Sequence, residues 1–514
     1  MTGTVLLAVV VLSVAGALPT LALVGTRPVA LVLLPLTGSA LAGVSATCCV
    51  LIAGDLGDWF VICSVTAAAV VVGVWIRRPT TRPALPDLST RARTVPVVVG
   101  GLLVAVVVVW ALWGLRVMDV GQDARVIWIT RGGWYVRGHG VARSVLSNRA
   151  YLFDEPAFPP LVGATSGIGW IVGRIPVGSA AAFRSGQILM GILNGCGLFA
   201  LGASLLQVGR RNPGGGGDTV RSDRTTTWAA AVAAPVLCAA VAGAAGRGLT
   251  NGLADLPWML AAAFAVVYGL ILPLTRSHLG IAVIGMAVAG QIKLEGTATA
   301  AVVVVLVALR YALAPRSPSG GGRGATPQAG GSPARRERGT RALVGAVVGL
   351  VALAAWPATT VVLGAIADPN RSGHRQGSLG LRLHATWDTL GGYLHIVPLA
   401  ALVAVVAALT LSAARRRLGL GGDLGLWVVL VANLMVVGGT YVIGSTAVRP
   451  WLGVSADRVV VFAVILSLAD LAVWLLVAVE ALSRSVPVGP TDREEPPDRP
   501  VESDPRSPAL VDAP

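Results

Sequence analysis

Lysine is almost absent from this sequence of 514 residues, in which a single lysine, Lys293, stands beside 39 arginines. Charged residues are scarce as a whole, at 13%, whereas soluble globular proteins carry about a quarter. The five cysteines have no spacing typical of a metal site. With 54% hydrophobic residues and a mean hydropathy of +0.75, the composition excludes a soluble multidomain enzyme, a disordered chain and a disulfide scaffold.

Long apolar runs take up most of the chain, and most of them are long enough to cross a bilayer as a helix. The first run follows an N-terminus without the positive charge of a signal peptide, so we interpret it as a membrane helix. Hydropathy and charge together predict thirteen spans. They lie near 4–24, 29–53, 59–76, 95–115, 180–207, 228–245, 255–274, 279–293, 296–313, 342–367, 396–413, 424–444 and 458–482.

The net charge of +15 indicates membrane topology rather than a nucleic-acid partner, because 16 of the 39 arginines fall in four loop clusters. These clusters lie within 77–93, 210–224, 335–341 and 415–417. Placing all four in the cytoplasm puts the N-terminus outside and the C-terminus inside. Residues 161–174 are apolar but short, so we interpret them as a re-entrant or interfacial helix. The Gly/Pro/Ser-rich stretches 213–218 and 317–333 are predicted to be flexible linkers.

The same topology places four longer segments on the outer face, 116–158, 246–254, 368–395 and 445–457, with the Lys293–Glu295 turn beside them. Two carboxylates, Asp119 and Asp123, stand in the first of them, just past the fourth span. A carboxylate there could take a proton from an acceptor hydroxyl or help to bind a metal. The alternative is a solvated loop with ordinary acidic residues.

Three further positions carry charge beside an apolar span. Asp255 opens the seventh span and could be a simple helix N-cap. Lys293 and Glu295 interrupt an apolar stretch, which favours either function or a structural ion pair at a helix break. Arg458 begins the last span and could bind a phosphate or pair with a nearby acid.

In this order, these residues resemble motifs of the GT-C superfamily of membrane glycosyltransferases. The likeness is to bacterial relatives of the dolichyl-phosphate-mannose mannosyltransferases and the lipid A aminoarabinose transferases. It rests on five short matching segments, called islands here, between about residues 95 and 482. In the second island, Glu155 stands where the family motif has His, and Ala157 stands where it has Asp. The islands are Asp123-Ala124-Arg125-Val126-Ile127-Trp128 followed by Arg131, Glu155-Pro156-Ala157-Phe158-Pro159, Gly252-Leu253-Ala254-Asp255-Leu256-Pro257, Lys293-Leu294-Glu295-Gly296, and Ser455 with Arg458.

The resemblance implies transfer of a sugar from a polyprenyl-phosphate donor to an acceptor on the outer face, with inversion of configuration. By motif position Asp123 is the general base and Asp119 the second candidate. Further residues are expected to bind substrate. Arg131, Lys293 and Arg458 would hold the donor phosphate, Asp255 and Glu295 would orient these cations or the sugar, and Trp128 and Glu155 complete the set. No resident cofactor or protein-held metal is implied, although a divalent cation would be compatible with the donor phosphate.

The expected fold is an all-α polytopic membrane protein with a GT-C-like helical bundle in a bacterial plasma membrane. Residues 1–94 would form an accessory three-helix region, 95–482 the GT-C-like module with its outer catalytic loop 116–158, and 483–514 a disordered cytoplasmic tail. Two other functions fit the sequence. One is a transporter or flippase of lipid-linked glycan, which would show internal repeats and a polar path near the midplane. The other is a non-catalytic relative that binds lipid or an envelope partner.

Overall fold

The computed structural model describes residues 2–76, 120–148, 151, 157–208, 219–314, 333–365, 377–444 and 447–485. These residues form helices and connecting turns, with no β-strand among them. The predicted fourth span, 95–115, lies outside the described residues, and so do Asp119, Glu155, most of the two linkers and the tail from residue 486 onward.

The helices are numbered here in chain order. The first eight are α1 (Thr2–Val24), α2 (Pro28–Leu51), α3 (Leu56–Ile76), α4 (Arg131–Val136), α5 (His139–Ser147), α6 (Leu161–Gly173), α7 (Ala180–Val208) and α8 (Thr219–Ala245). A π-helix, Ala124–Ile129, precedes α4. The others are α9 (Asp255–Val266, extended by a π-turn to Ile271), α10 (Arg276–Ala289), α11 (Leu294–Leu313), α12 (Pro333–Val362), α13 (Leu379–Tyr393), α14 (Ile396–Arg417), α15 (Asp423–Ile443), α16 (Val448–Val459) and α17 (Val461–Ser485).

Ten of the described helices are long and apolar enough to cross a membrane, which is the character of a polytopic all-α membrane protein. They are α1, α2, α3, α7, α8, α11, α12, α14, α15 and α17. Each coincides with one of the predicted spans. The predicted spans 255–274 and 279–293 correspond to shorter apolar helices, α9 with its π-turn and α10. The segment predicted as re-entrant or interfacial forms the third shorter apolar helix, α6.

The boundaries around α10 differ from the prediction for a local reason. The helix begins three residues early, at Arg276, because the side chain of Thr275 accepts a hydrogen bond from the backbone N–H of His278 at 3.2 Å. It also ends early, at Ala289, so Lys293 lies between two helices rather than inside one.

Helices α1 and α2 form a hairpin, of which α2 lies in the interior of the bundle and α1 lies nearer its surface. Gly25, with φ of +79°, turns the chain after α1, and Pro28 then opens α2 in the first-turn position that proline favours. The two helices touch at Gly38, where a Cβ would lie 1.9 Å from the carbonyl oxygen of Leu12. Helix α2 is largely buried and also packs on α6, α7 and α10. The predicted accessory region therefore contacts the predicted GT-C-like module extensively.

Helices α9 and α11 run in the same direction and define two ends of the bundle. The starts of the two helices meet through the contact of Asp255, the first residue of α9, with Lys293, which directly precedes α11. At the other end, Arg310 of α11 donates to the carbonyl oxygens of Gly269 and Leu272 at 2.9 and 2.8 Å. The charged residues of the candidate site are thus gathered at one end of these helices.

Two apolar clusters hold the helices together. The main core runs through most of the bundle. A second, smaller cluster joins α13, α15 and α16 and consists of Leu390, Val437, Tyr441, Val448, Leu452, Ala456 and Val460. Helix α16, which carries Ser455 and Arg458, is therefore packed mainly by this second cluster.

Candidate functional site

Lys293 stands in a short connection whose shape the neighbouring residues fix. The hydroxyl of Thr297 donates to the carbonyl oxygens of Gly290 at 2.7 Å and Lys293 at 3.0 Å. Gly296 allows the close return of the chain, because a Cβ there would lie 2.3 Å from the carbonyl oxygen of Ala289. These contacts explain why a glycine follows the Lys293–Glu295 pair, and they hold the lysine backbone in an extended conformation.

The ammonium group of Lys293 forms a buried ion pair. Its Nζ lies 2.6 Å from Oδ1 of Asp255, and the two side chains are only 14% and 11% exposed. The aromatic rings of Trp128 and Phe158 lie on the same nitrogen, with centroids at 5.3 and 5.9 Å. Burial alone would lower the pKa of Lys293, but the carboxylates of Asp255 and Glu295 raise it above its ordinary value. Lys293 is therefore a charged cation at neutral pH and not a base.

Arg458 connects this pair to the acidic residue of the first outer segment. Its Nη1 lies 2.7 Å from Oδ2 of Asp123 and 3.8 Å from Oδ2 of Asp255. Asp123 is 43% exposed and Arg458 is 30% exposed. The network Asp123–Arg458–Asp255–Lys293 is therefore most exposed at Asp123 and largely buried at Lys293.

The structure brings six of the nine predicted site residues together. Four form the ion-pair network, Trp128 covers Lys293, and Glu295 contributes negative charge beside it. Oε2 of Glu295 is buried and has no hydrogen-bond partner among the described residues. Asp119 and Glu155 lie outside the described residues.

Arg131 is not brought into this network. It is 1% exposed, and its guanidinium donates to the carbonyl oxygens of Phe158 and of Pro159, the latter at 3.4 Å. It also donates to the hydroxyl of Tyr135 at 3.3 Å. These contacts fix the segment that places the Phe158 ring against Nζ of Lys293. Arg131 therefore supports the site without joining its ion-pair network.

One structural expectation for Asp255 is wrong. As a helix N-cap it would accept a hydrogen bond from the first backbone N–H groups of α9. The helix instead begins at Asp255 itself, Ala254 occupies the N-cap position, and no side-chain cap forms. The carboxylate instead accepts a charge-assisted hydrogen bond from Lys293 and lies 3.8 Å from Nη1 of Arg458, as an ion-pair contact.

Sequence reasoning did not identify Arg382 and Tyr441, which connect α13 and α15 to the helix that carries Arg458. Arg382, which is fully buried, donates from Nε to the carbonyl oxygens of Tyr441 and Val442, each at 3.0 Å. The hydroxyl of Tyr441 forms a 2.6 Å hydrogen bond with Oγ of Ser455, one turn before Arg458. An arginine set among leucines in 379–383 was the only sequence signal for this connection.

The arrangement combines a partly exposed carboxylate, Asp123, with two cations, of which Arg458 pairs with Asp123 itself and Lys293 pairs with Asp255. Its four charges sum to zero. Within the part of the chain that the structure describes, no group of three or more His, Cys, Asp or Glu residues could hold a metal ion. Comparisons with models of known protein families, with curated proteins and with solved structures found no match to this chain.

Proposed function

We propose that this protein is an integral membrane glycosyltransferase of the GT-C type, which moves a sugar from a polyprenyl-phosphate donor to a cell-envelope acceptor. The observation that carries the proposal is the network Asp123–Arg458–Asp255–Lys293. Its members come from four segments far apart in the sequence, each predicted on the outer face, and they meet at one end of the bundle.

The chemistry assigned to the network needs one base and one anion site. The carboxylate of Asp123, as the most exposed acid of the network, takes the proton of the acceptor hydroxyl. The acceptor oxygen then bonds to the anomeric carbon from the face opposite the donor phosphate. The bond between the anomeric carbon and the phosphate oxygen breaks, and polyprenyl phosphate leaves with the electron pair. Arg458 and Lys293 stabilise the negative charge of the leaving phosphate.

The finer topology belongs to the same proposal. Thirteen membrane segments, with the N-terminus outside and the C-terminus in the cytoplasm of a bacterial cell, would put the network at the extracytoplasmic end. The residue content of α9 supports transfer at one face over transport across the membrane. Its residues from Leu256 to Val266 are buried and apolar, so this helix offers no polar path from the network toward the opposite end.

Substitution of Asp123 by Asn tests the proposal in membranes supplied with a polyprenyl-phosphate sugar and a cell-envelope fraction as acceptor. We expect a loss of about 10²-fold or more in transfer, which is the usual contribution of a general base. Asp58→Asn is the matched control, because Asp58 is an exposed acid in the first turn of α3 and lies outside the network. Unchanged transfer by Asp123→Asn, with Asp119→Asn also active, would overturn the assignment of the base.

A further inference from the structure

Helix α13 has four parallel stripes of side chains, each made of residues four positions apart, and one of them, Leu381, Ala385, Thr389 and Tyr393, is mixed in polarity and partly to fully exposed. The buried stripe is Arg382, Thr386 and Leu390. The next stripe around the helix is apolar and exposed, with Leu379, Leu383 and Trp387. The third stripe is polar and exposed, with His384 and Asp388, whose Nδ1 and Oδ2 atoms lie 3.0 Å apart. A helix in water would carry its apolar stripe inside, whereas α13 buries an arginine and exposes a tryptophan.

The exposed apolar stripe continues toward a surface that faces lipid. Helix α13 ends at Tyr393, and α14, one of the ten helices able to cross a membrane, begins at Ile396. Helix α14 exposes a row of large apolar side chains, among them Leu399, Leu402 and Leu409. Because only two residues separate the helices, α13 is held at the level where this row ends. Tryptophan is enriched at that level, between acyl chains and headgroups.

We propose that α13 lies on the lipid surface and binds it through Leu379, Leu383 and Trp387. Its polar stripe, His384 and Asp388, faces water. The arrangement of one apolar and one polar exposed edge is that of an interfacial helix, whose apolar face enters the boundary between headgroups and acyl chains. The partner of this surface is the bilayer itself.

The buried stripe joins this lipid contact to the candidate site. Arg382 binds the carbonyl oxygens at the end of α15, and Tyr441 of α15 bonds to Ser455 of α16. Helix α16 carries Arg458. This series of hydrogen bonds therefore connects α13 to the helix that carries the arginine bound to Asp123, and the lipid contact itself does not depend on the proposed transferase activity.

Spin labelling of the full chain in lipid nanodiscs tests the proposal. Single cysteines at Leu383→Cys and Trp387→Cys report on the apolar stripe, and His384→Cys and Asp388→Cys are matched controls one position away. The native cysteines are replaced beforehand, and helix content is checked for each variant. Oxygen concentrates in lipid and a charged nickel complex stays in water. We expect the ratio of their collision rates to be several-fold higher at 383 and 387 than at 384 and 388.

Equal ratios at all four positions would overturn the proposal, since α13 would then lie in water. Exclusion of both reagents at 383 and 387 would also overturn it, because protein would then cover the stripe. A second measurement needs no cysteine replacement. In vesicles of lipid brominated near the headgroup end of the chains, Trp387→Phe should remove emission that the bromine quenches. Trp474→Phe, which removes a fully buried ring, should leave the amount of quenched emission unchanged, and equal behaviour of the two variants would contradict the proposal.

Discussion

Removal of the Asp255 carboxylate should destabilise the protein far more than removal of the Asp123 carboxylate. The Lys293–Asp255 pair is 2.6 Å long and nearly closed, with side chains 14% and 11% exposed. Loss of one partner from such a pair leaves a buried charge uncompensated, at a cost of about 3–5 kcal/mol. The Asp123–Arg458 pair is equally short but 43% and 30% exposed, and a pair of that kind contributes about 0.2–1 kcal/mol.

Reversible unfolding in detergent, followed by circular dichroism, measures the two free energies. We expect Asp255→Ala to lose about 3–5 kcal/mol, and Asp255→Asn, which keeps the side-chain volume, to show that the loss follows from charge. Asp123→Ala should lose less than about 1 kcal/mol. The double variant Asp255→Ala with Lys293→Met should lose less than the sum of its single variants. Equal losses for Asp255→Ala and Asp123→Ala, or additive single variants, would refute the reasoning.

Three further predictions concern Lys293 and Arg131. Burial lowers the pKa of Lys293, but its carboxylate neighbours raise that pKa by more, so the folded protein has a raised lysine pKa. The ammonium therefore contributes fully to stability below the ordinary lysine pKa of about 10.4, and this contribution is lost only at higher pH. The difference in unfolding free energy between wild type and Lys293→Met should therefore stay constant from about pH 6 to 9, and a decrease within that range would contradict the raised pKa. Lys293→Arg should lower transfer by about tenfold or more, because a branched guanidinium cannot occupy the closed space of the ammonium; full activity would show that only charge matters. Arg131→Lys should cost about 1–3 kcal/mol of stability for each carbonyl left without a donor, whereas normal stability with lost transfer would place Arg131 in the substrate site.

Hydropathy alone was sufficient to locate the ten long helices, because a bilayer-spanning helix needs an uninterrupted apolar run of definite length. The shorter length of the apolar run at 161–174 also distinguished α6 from the ten long helices. The limits of α10 could not be read in the same way. They depend on the Thr275 cap and on the turn that Gly296 permits, and both are contacts of single residues that an average over many residues does not register.

The charged residues of the candidate site could be predicted from the sequence, whereas the residues that support them could not. Asp255, Lys293 and Arg458 are conspicuous because charge is rare beside apolar spans. Arg131 was conspicuous for the same reason, yet its guanidinium donates to backbone carbonyl oxygens and not to a site carboxylate. That outcome depends on the path of residues 157–159, which the sequence does not indicate. Arg382 was missed because its partners, Tyr441 and Val442, lie about sixty residues away and offer backbone atoms, which leave no trace in residue identity.

The second apolar cluster has a consequence for how the protein opens. Cooperative units of a protein open separately when few contacts join them, and α13, α15 and α16 share a cluster of their own beside the main core. Amide hydrogens of α16 should therefore exchange with solvent at a lower free energy than those of α9, which is buried along its whole length. Arg458 would then leave Asp123 and Asp255 together with its helix, as one local unfolding event, while Lys293 and Asp255 stay paired in the core that remains folded.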